Sequence, residues 1–575
     1  TFTIKASDAN SVAAVHVPPD YYTCPECLTE LHDTNDRRYR YPFINCTQCG
    51  PRYTLIKSLP YDRPNTSMVD FPLCPACQQE YQNPLDRRFH AEPIACPECG
   101  PQLQFVDNDQ MIEGNEPALT QTLAALNTGK ILAVKGIGGY HLMCDAANEQ
   151  AVQRLRDRKP RPNKPLAVMF PPSGKDGLDS IREVANLSET EAKLLCDPAR
   201  PIVLVTKKQN TALARAIAPQ LNQVGVFLPY SPLHHVLLSD FGKPLVATSA
   251  NISGEPVLTD KTEVTQRLSQ VADAYLHHNR PIVRPADDSV YRVIADTPRP
   301  MRLGRGFAPL ELPLPLQLDK VVLAAGGQMK NTIALAWDNR LVISPHVGDL
   351  DSPRSLSVFE QVIMDLQQLY EVQANIVVAD AHPGYASRRW AEQSGIPFKT
   401  VFHHYAHAAT LPLEYGNDKP WLVFTWDGVG YGADDTLWGG ETLYGQAGKW
   451  QRVASFKPFA LPGGDKAGRE PWRSAAALCW HAGFNYHAPR EHELIYNAWQ
   501  KRLNCPTTTA VGRLFDAAAA LVGLVNDASF EGQGPMWLEA IASSTANHES
   551  LPLQQDDDHI LRADWTPLVL SLIHI

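Results

Sequence analysis

Eight of the twelve cysteines fall in the first 100 residues as four C-x-x-C pairs: Cys24/Cys27, Cys46/Cys49, Cys74/Cys77 and Cys96/Cys99. Such knuckles are zinc ligands, and two of them complete a tetrahedron with bonds of about 2.3 Å. Four sulfurs leave no open position, so two structural zinc ions are expected and catalysis belongs elsewhere. Eighteen residues separate the pairs within each half, and the arrangement recurs fifty positions later. Asp36-Arg37-Arg38 returns as Asp86-Arg87-Arg88, and Gly50-Pro51 as Gly100-Pro101, which marks a tandem duplication. Glycine after the last cysteine of each half allows the tight turn that brings amides toward sulfur. The repeat favours consecutive over interleaved pairs at each ion. A redox reading needs one dithiol, not four matched pairs. The arginine pairs read as a solvated face, and Cys144, Cys196, Cys479 and Cys505 as inert thiols.

A second group could handle phosphate. In Arg158-Lys159-Pro160-Arg161-Pro162-Asn163-Lys164-Pro165 the prolines forbid a helix and string four cations along one strip. The strip leads into an expected core strand, Leu166 to Phe170. A strand at Leu245–Ala247 delivers Thr248-Ser249-Ala250-Asn251-Ile252-Ser253-Gly254, hydroxyls and amides suited to phosphate oxygens. The strand Ile131–Val134 runs into Lys135-Gly136-Ile137-Gly138-Gly139, a weaker phosphate-loop signal. In combination these segments resemble the YrdC family, whose K-x-R element matches Lys159 and Arg161 and whose S-x-N element matches Ser249 and Asn251. That resemblance covers about residues 116–306. It implies a twisted α/β domain with a basic cavity that joins ATP to a small acid as a mixed anhydride with AMP.

A third chemistry rests on His403 and His407, which stack on one helix face within reach of one ion. After the strand Leu422–Phe424, Asp427 stands at a strand end as the third ligand, beside Gly428 and Gly430, which would admit phosphates. Two nitrogens and an oxygen with an open position suit iron or zinc as a Lewis acid. Three prolines among leucines over 308–316 read as a linker, and the strands Val321–Leu323 and Thr332–Trp337 as a phosphate-holding hairpin. This region resembles the TsaD family of actin-like carbamoyl-transferring domains. The order of zinc repeat, YrdC-like and TsaD-like domains is that of the HypF family of [NiFe]-hydrogenase maturation. Ser344–Leu350, Asp380–Tyr385, Trp438–Glu441 and Gly512–Asp516 add to the likeness.

The elements that must position these groups make a multidomain α/β chain. The expected domains are a tandem zinc-finger module with four cysteines per ion over 1–115, an adenylating domain over 116–306 and a transfer domain over 317–575. A chain of 575 residues exceeds one core, and its composition is that of an ordinary soluble protein. The start Thr1-Phe2-Thr3-Ile4-Lys5 lacks secretory features, so a cytoplasmic protein is expected, with no membrane partner. The net charge of −10 disfavours a broad polyanion surface.

The family likeness implies two structural zinc ions, ATP with Mg2+, and iron or zinc in the third domain. It implies catalytic roles for Lys159, Arg161, His403, His407 and Asp427. Lys159, Arg161, Lys164, Ser249, Asn251, Gly428 and Gly430 would bind nucleotide. Carbamate, derived from carbamoyl phosphate, would form carbamoyl-AMP, and the carbamoyl group would pass to the C-terminal cysteine of HypE. The two cavities should then face one another across a closed chamber. HypF relatives begin with an acylphosphatase domain, for which nothing before Cys24 has room. The sequence also stops at Leu570–Ile575, short of a late glycine-rich segment and aspartate, so an incomplete third domain is expected. The rival readings are a tRNA threonylcarbamoyl-adenosine enzyme and a zinc-ribbon nucleic-acid-binding regulator. The negative charge and the zinc repeat favour a protein acceptor.

Overall fold

The computed structural model describes residues 16–107, 110–252, 254–416, 419–543 and 550–574. Thr1–Lys5, Ser253 and Ile575, which entered the reading above, lie outside the described residues.

Each finger repeat opens on a helix, Pro25–His32 and Pro75–Gln82, with its first cysteine at the N-cap and proline at the first helical position. Proline suits that place because its missing N–H would be unpaired there anyway. Fifty residues apart, Arg40 and His90 both adopt left-handed backbone, so the duplication is conformational as well as textual.

The middle domain is a mixed twelve-stranded sheet. Its centre holds Leu132–Lys135, Tyr140–Asp145 and Leu245–Ser249, the last two antiparallel with His141 opposite Ser249. One edge is the hairpin Leu103–Asp107/Gln110–Glu113, which lies within the 1–115 span expected for the finger module and pairs into this sheet. Leu103 and Phe105 are buried and alternate as strand residues of the sheet must. The expected core strand from Leu166 shrinks to Val168–Met169, although its apolar residues Leu166 to Phe170 are largely buried. Alternate residues feed two cores. Ile131 and Ala133 join one, while Leu132 and Val134 join another that includes Leu31, Phe43, Ile44 and Leu55 of the first finger repeat. The first finger therefore forms a layer on the sheet. Each such fully buried aliphatic or aromatic side chain stabilises the contact by roughly 1.5–3 kcal/mol.

The expected linker over 308–316 is a strand. Leu310–Ala324 pairs with Ala334–Ile343 as a long hairpin. On its other flank it meets Ile376–Asp380 only from Val322 to Ala324. Pro313 and Pro315 stand in the one-sided part, next to an irregularity, where a missing N–H costs no ladder bond. A second sheet carries Trp421–Tyr431, Leu437–Gln446 and Lys449–Phe456.

The domains are packed, not strung. Tyr53 and Ile56 of the first repeat share a core with Leu323, Phe359 and Val377. Ala519, Val525 and Trp537 of the C-terminal region enter a core of the middle domain. Arg354 binds Glu263 at 2.7 Å and the Pro256 carbonyl at 2.6 Å. Among the described residues no helix is long and apolar enough to cross a membrane.

Candidate active site and metal centres

The eight paired cysteines gather as Cys24/Cys27/Cys46/Cys49 and Cys74/Cys77/Cys96/Cys99, so each cluster uses consecutive pairs. In the first cluster sulfur separations are 3.7 Å for Cys24–Cys46, 3.8 Å for Cys46–Cys49 and 3.6 Å for Cys27–Cys49. In the second, Cys74–Cys96 and Cys96–Cys99 are both 3.7 Å. A tetrahedron with bonds of about 2.3 Å has edges of about 3.8 Å, so both clusters fit zinc and neither fits a disulfide.

The arginine pairs are not a solvated face. Arg37 Nη2 donates to Cys77 Sγ at 3.2 Å, and Arg87 Nη2 donates to Cys27 Sγ at 3.2 Å. Arg38 and Arg88, 1% and 4% exposed, pair with Glu80 and Glu30. Arg38 Nε also meets the Ala95 carbonyl at 2.9 Å, and Arg88 Nε the Asn45 carbonyl at 3.0 Å. Each repeat thus supplies the charge that stabilises thiolate in the other. Sequence spacing alone could not reveal an exchange that depends on how two copies dock.

In the middle domain the helix Glu149–Arg158 ends at Lys159, whose ammonium turns onto the Ser249 carbonyl and Asn251 Oδ1. Ser249 Oγ donates to the same Asn251 oxygen at 2.9 Å, and Arg161 Nη1 to Thr248 Oγ1 at 3.1 Å. Three of the four cations converge. Arg158 leaves the group for Asp273 at 2.7 Å and the Val271 carbonyl, and serves packing instead. Burial, aided by Arg161, drives Lys159 well below the ordinary lysine range. Burial beside Arg156 and Arg302 lowers Arg161 to about 10. Solvent reaches Lys164, yet protein walls crowd its ammonium, and with Arg161 and Arg302 they lower it to about 8. Cations crowded together with neutral acceptors are poised for a polyanion.

The third domain borders this cluster. Asp349 and Glu531 are the carboxylates that act on Lys164 from outside the middle domain. His346 N donates to the Leu303 carbonyl at 2.8 Å, and Asp349 N to the Gly254 carbonyl at 3.2 Å. His346 is lowered to about 4 by burial and by Arg302. His346 and Asp349 lie in Ser344–Leu350, a stretch the sequence offered only as a family likeness. The glycine turn from Gly136 packs tightly: a Cβ on Gly138 would lie 2.2 Å from the Ala286 oxygen.

His403 and His407 share one face of the helix His403–Tyr415, as their spacing required. His403 Nε2 lies 3.0 Å from Asp427 Oδ2 and 3.2 Å from His407 Nε2, and His407 Nε2 is 3.8 Å from the same carboxylate oxygen. These donor atoms fit one ion with two nitrogens and one oxygen. Asp427 is not at a strand end. It sits where the pairing of Trp421–Tyr431 slips between Trp426 and Gly430, and this bulge turns its carboxylate toward the helix. Asp380, not among the expected residues, accepts from His403 Nδ1 at 2.7 Å and so fixes the tautomer that aims Nε2 at the ion. Although burial opposes it, Asp380 and Asp427 raise His403 to about 9. Gly430 has a packing role, since a Cβ there would come within 2.6 Å of His404 and 2.8 Å of His403. Gly428 keeps room beside Arg513 and touches Gly512.

Comparison with known families agrees with this layout. The HypF finger model matches residues 23–56 and 73–106, and the Sua5/YciO/YrdC model, described as telomere recombination, matches 124–304. The HypF Kae1-like domain matches 317–414 and the second subdomain of the carbamoyltransferase Kae1-like domain 423–574. The chain is 45% identical over 600 residues to carbamoyltransferase HypF of Synechocystis, spanning 99% of this chain and 77% of that one. It is 43% identical over 573 residues to HypF2 of Cupriavidus necator, spanning 94% and 70%. A crystal structure of full-length HypF in a phosphate- and nucleotide-bound form superposes with a TM-score of 0.91 at 37% identity, covering 96% of this chain and 73% of that one. A threonylcarbamoyl-AMP synthase of Vibrio campbellii is 28% identical over 148 residues, 26% of this chain and 80% of its own.

Proposed function

The chain belongs to the HypF family of carbamoyltransferases, and from that premise we propose that it makes carbamoyl-AMP in the middle domain and passes the carbamoyl group to a protein thiol in the third. A carbamate oxygen attacks the α-phosphorus of ATP, bound as its Mg2+ complex, and pyrophosphate leaves. Lys159, Arg161 and Lys164 bind the triphosphate and neutralise the charge that grows on the leaving group, while Ser249 and Asn251 orient it. The thiolate of the C-terminal cysteine of HypE then attacks the carbamoyl carbon. AMP departs with the former carbamate oxygen and a thiocarbamate remains.

An iron or zinc ion held by His403, His407 and Asp427 would polarise the carbamoyl oxygen as a Lewis acid. Asp380 keeps the His403 tautomer that leaves Nε2 free for such an ion. The observation that carries the relay is the contact of the third domain with the middle one beside the cation cluster, where Asp349 N meets the Gly254 carbonyl, His346 N the Leu303 carbonyl, and Asn163 Nδ2 the Ser529 hydroxyl. A carbamoyl adenylate is short-lived in water, and an enclosed passage between the sites would protect it. The likeness to a threonylcarbamoyl-AMP synthase supports adenylate chemistry in the middle domain.

The test is to incubate the protein with ATP, labelled carbamoyl phosphate and a peptide ending in cysteine. Label on the peptide thiol is expected. Label on tRNA with none on the thiol would overturn the assignment.

A further inference from the structure

A second cationic site lies apart from Lys159 and Arg161, at the seam between the first finger and the middle sheet. Phe43, Ile44 and Pro51 of the finger and Lys135, Gly136, His278 and Arg280 of the domain line a small cavity there. Lys135 and Arg280 are only 6% and 5% exposed, yet no carboxylate lines the cavity. Lys135 Nζ donates to two neutral acceptors, the carbonyls of His278 at 3.2 Å and Arg280 at 3.0 Å. The Arg280 guanidinium lies over the Phe43 ring, 5.3 Å from its centroid, and among the described residues it has no ion-pair partner. Asp260 and Asp20 act on Lys135 and Arg280 only from beyond ion-pair distance, and two buried cations with no carboxylate in contact are costly, so such an arrangement suits a bound anion.

The cavity also offers an acceptor. His278 Nε2 is 3.1 Å from the Gly136 carbonyl, which makes it the protonated nitrogen, and its Nδ1 is buried without a partner. A ligand that is anionic at one end and carries an N–H or O–H at the other would satisfy all three groups. The small size excludes a nucleotide and suits an ion of a few heavy atoms. Lys135 ends the strand that enters the glycine turn, and the next strand sets His141 opposite Ser249. Lys135 and Ser249 therefore stand near the same end of the sheet with one strand between them.

We propose that this cavity binds the small planar oxyanion of the adenylation step, with Lys135 and Arg280 holding its carboxylate and His278 accepting its N–H. The identification of that ion as carbamate rests on the function proposed above. Bicarbonate shares the chemistry, with an O–H in place of the N–H.

The experiment uses the full-length chain and pyrophosphate exchange into ATP, with carbamate supplied from ammonium bicarbonate, and with bicarbonate alone and phosphate as separate arms. Arg280→Ala should raise the half-saturating oxyanion concentration by about tenfold or more, the loss of one charged hydrogen bond, and leave the half-saturating ATP concentration within about twofold. Arg280→Lys should recover part of the loss. An unchanged oxyanion requirement, or an equal rise for ATP, would overturn the proposal. Line broadening of labelled bicarbonate without nucleotide reads the site independently of adenylation. Broadening present in the wild type and lost in Arg280→Ala supports the site even if exchange fails throughout. Its absence in the wild type, or its persistence in the variant, overturns it.

Discussion

Arg37 of the first finger repeat donates to Cys77 of the second, and the reverse contact, Arg87 to Cys27, has the same 3.2 Å length. The two zinc clusters are thus coupled through side chains, not merely adjacent. Arg37→Ala should weaken metal retention at the Cys74–Cys99 cluster about 10–100-fold, the usual effect of losing a partner to a metal ligand. Zinc release to a chromogenic chelator, followed in Arg37→Ala and Arg87→Ala, reads the effect. Loss from the cluster of the mutated repeat instead of the other would show that the cross-contact carries no weight.

Removal of zinc should be felt far from the fingers. Tyr53 and Ile56 share a core with Leu323 and Phe359, and Phe43 with Val134. Because metal binding to such clusters is folding energy, chelation should lower the melting temperature of the whole chain by several degrees. Calorimetry with and without chelator would show one transition moving, whereas a small separate finger transition beside an unmoved main one would contradict this packing role.

The Lys164 ammonium, crowded by protein and by Arg161 and Arg302, is lowered to about 8. Its charge is present below that pH and lost as pH rises through it, while ATP itself is fully charged across the same range. Affinity for Mg-ATP should fall severalfold between about pH 7 and 9.5 in the wild type and stay nearly flat in Lys164→Arg, since guanidinium keeps its charge. Titration calorimetry across that range decides the point, and parallel profiles would remove Lys164 from the nucleotide site.

Asp380 holds His403 by Nδ1. Asp380→Ala should cost about 10–100-fold in iron or zinc affinity at the third-domain site and leave the finger zinc content alone. Metal analysis after dialysis against buffered metal would reveal unchanged occupancy if the contact is incidental.

Much of the site geometry was legible in the sequence because it rests on short-range spacing. The C-x-x-C pairs, Lys159 with Arg161, Ser249 with Asn251, and His403 with His407 each lie within one turn of backbone, so local geometry dictates the meeting. What was misread depends on long-range packing. Arg158 shares the strip with Lys159 but faces Asp273 of a distant segment. The prolines of 308–316 suggested a linker because proline disfavours paired strands, yet a strand with one open flank accepts them. Asp427 looked like a strand end because glycines follow it, and the structure makes it a bulge inside a longer strand. Asp380 stood in plain view in Asp380–Tyr385, but only the parallel pairing of Ile376–Asp380 with Phe398–Val401 brings it to His403.

The central claim is that the Lys159 and Asn251 cluster builds an adenylate from ATP and carbamate. Carbamate-dependent exchange of labelled pyrophosphate into ATP measures that step alone. Lys159→Ala and Asn251→Ala should each reduce exchange by about 100-fold or more, as loss of a group that stabilises developing charge does. Exchange at the wild-type rate in both variants would contradict the account.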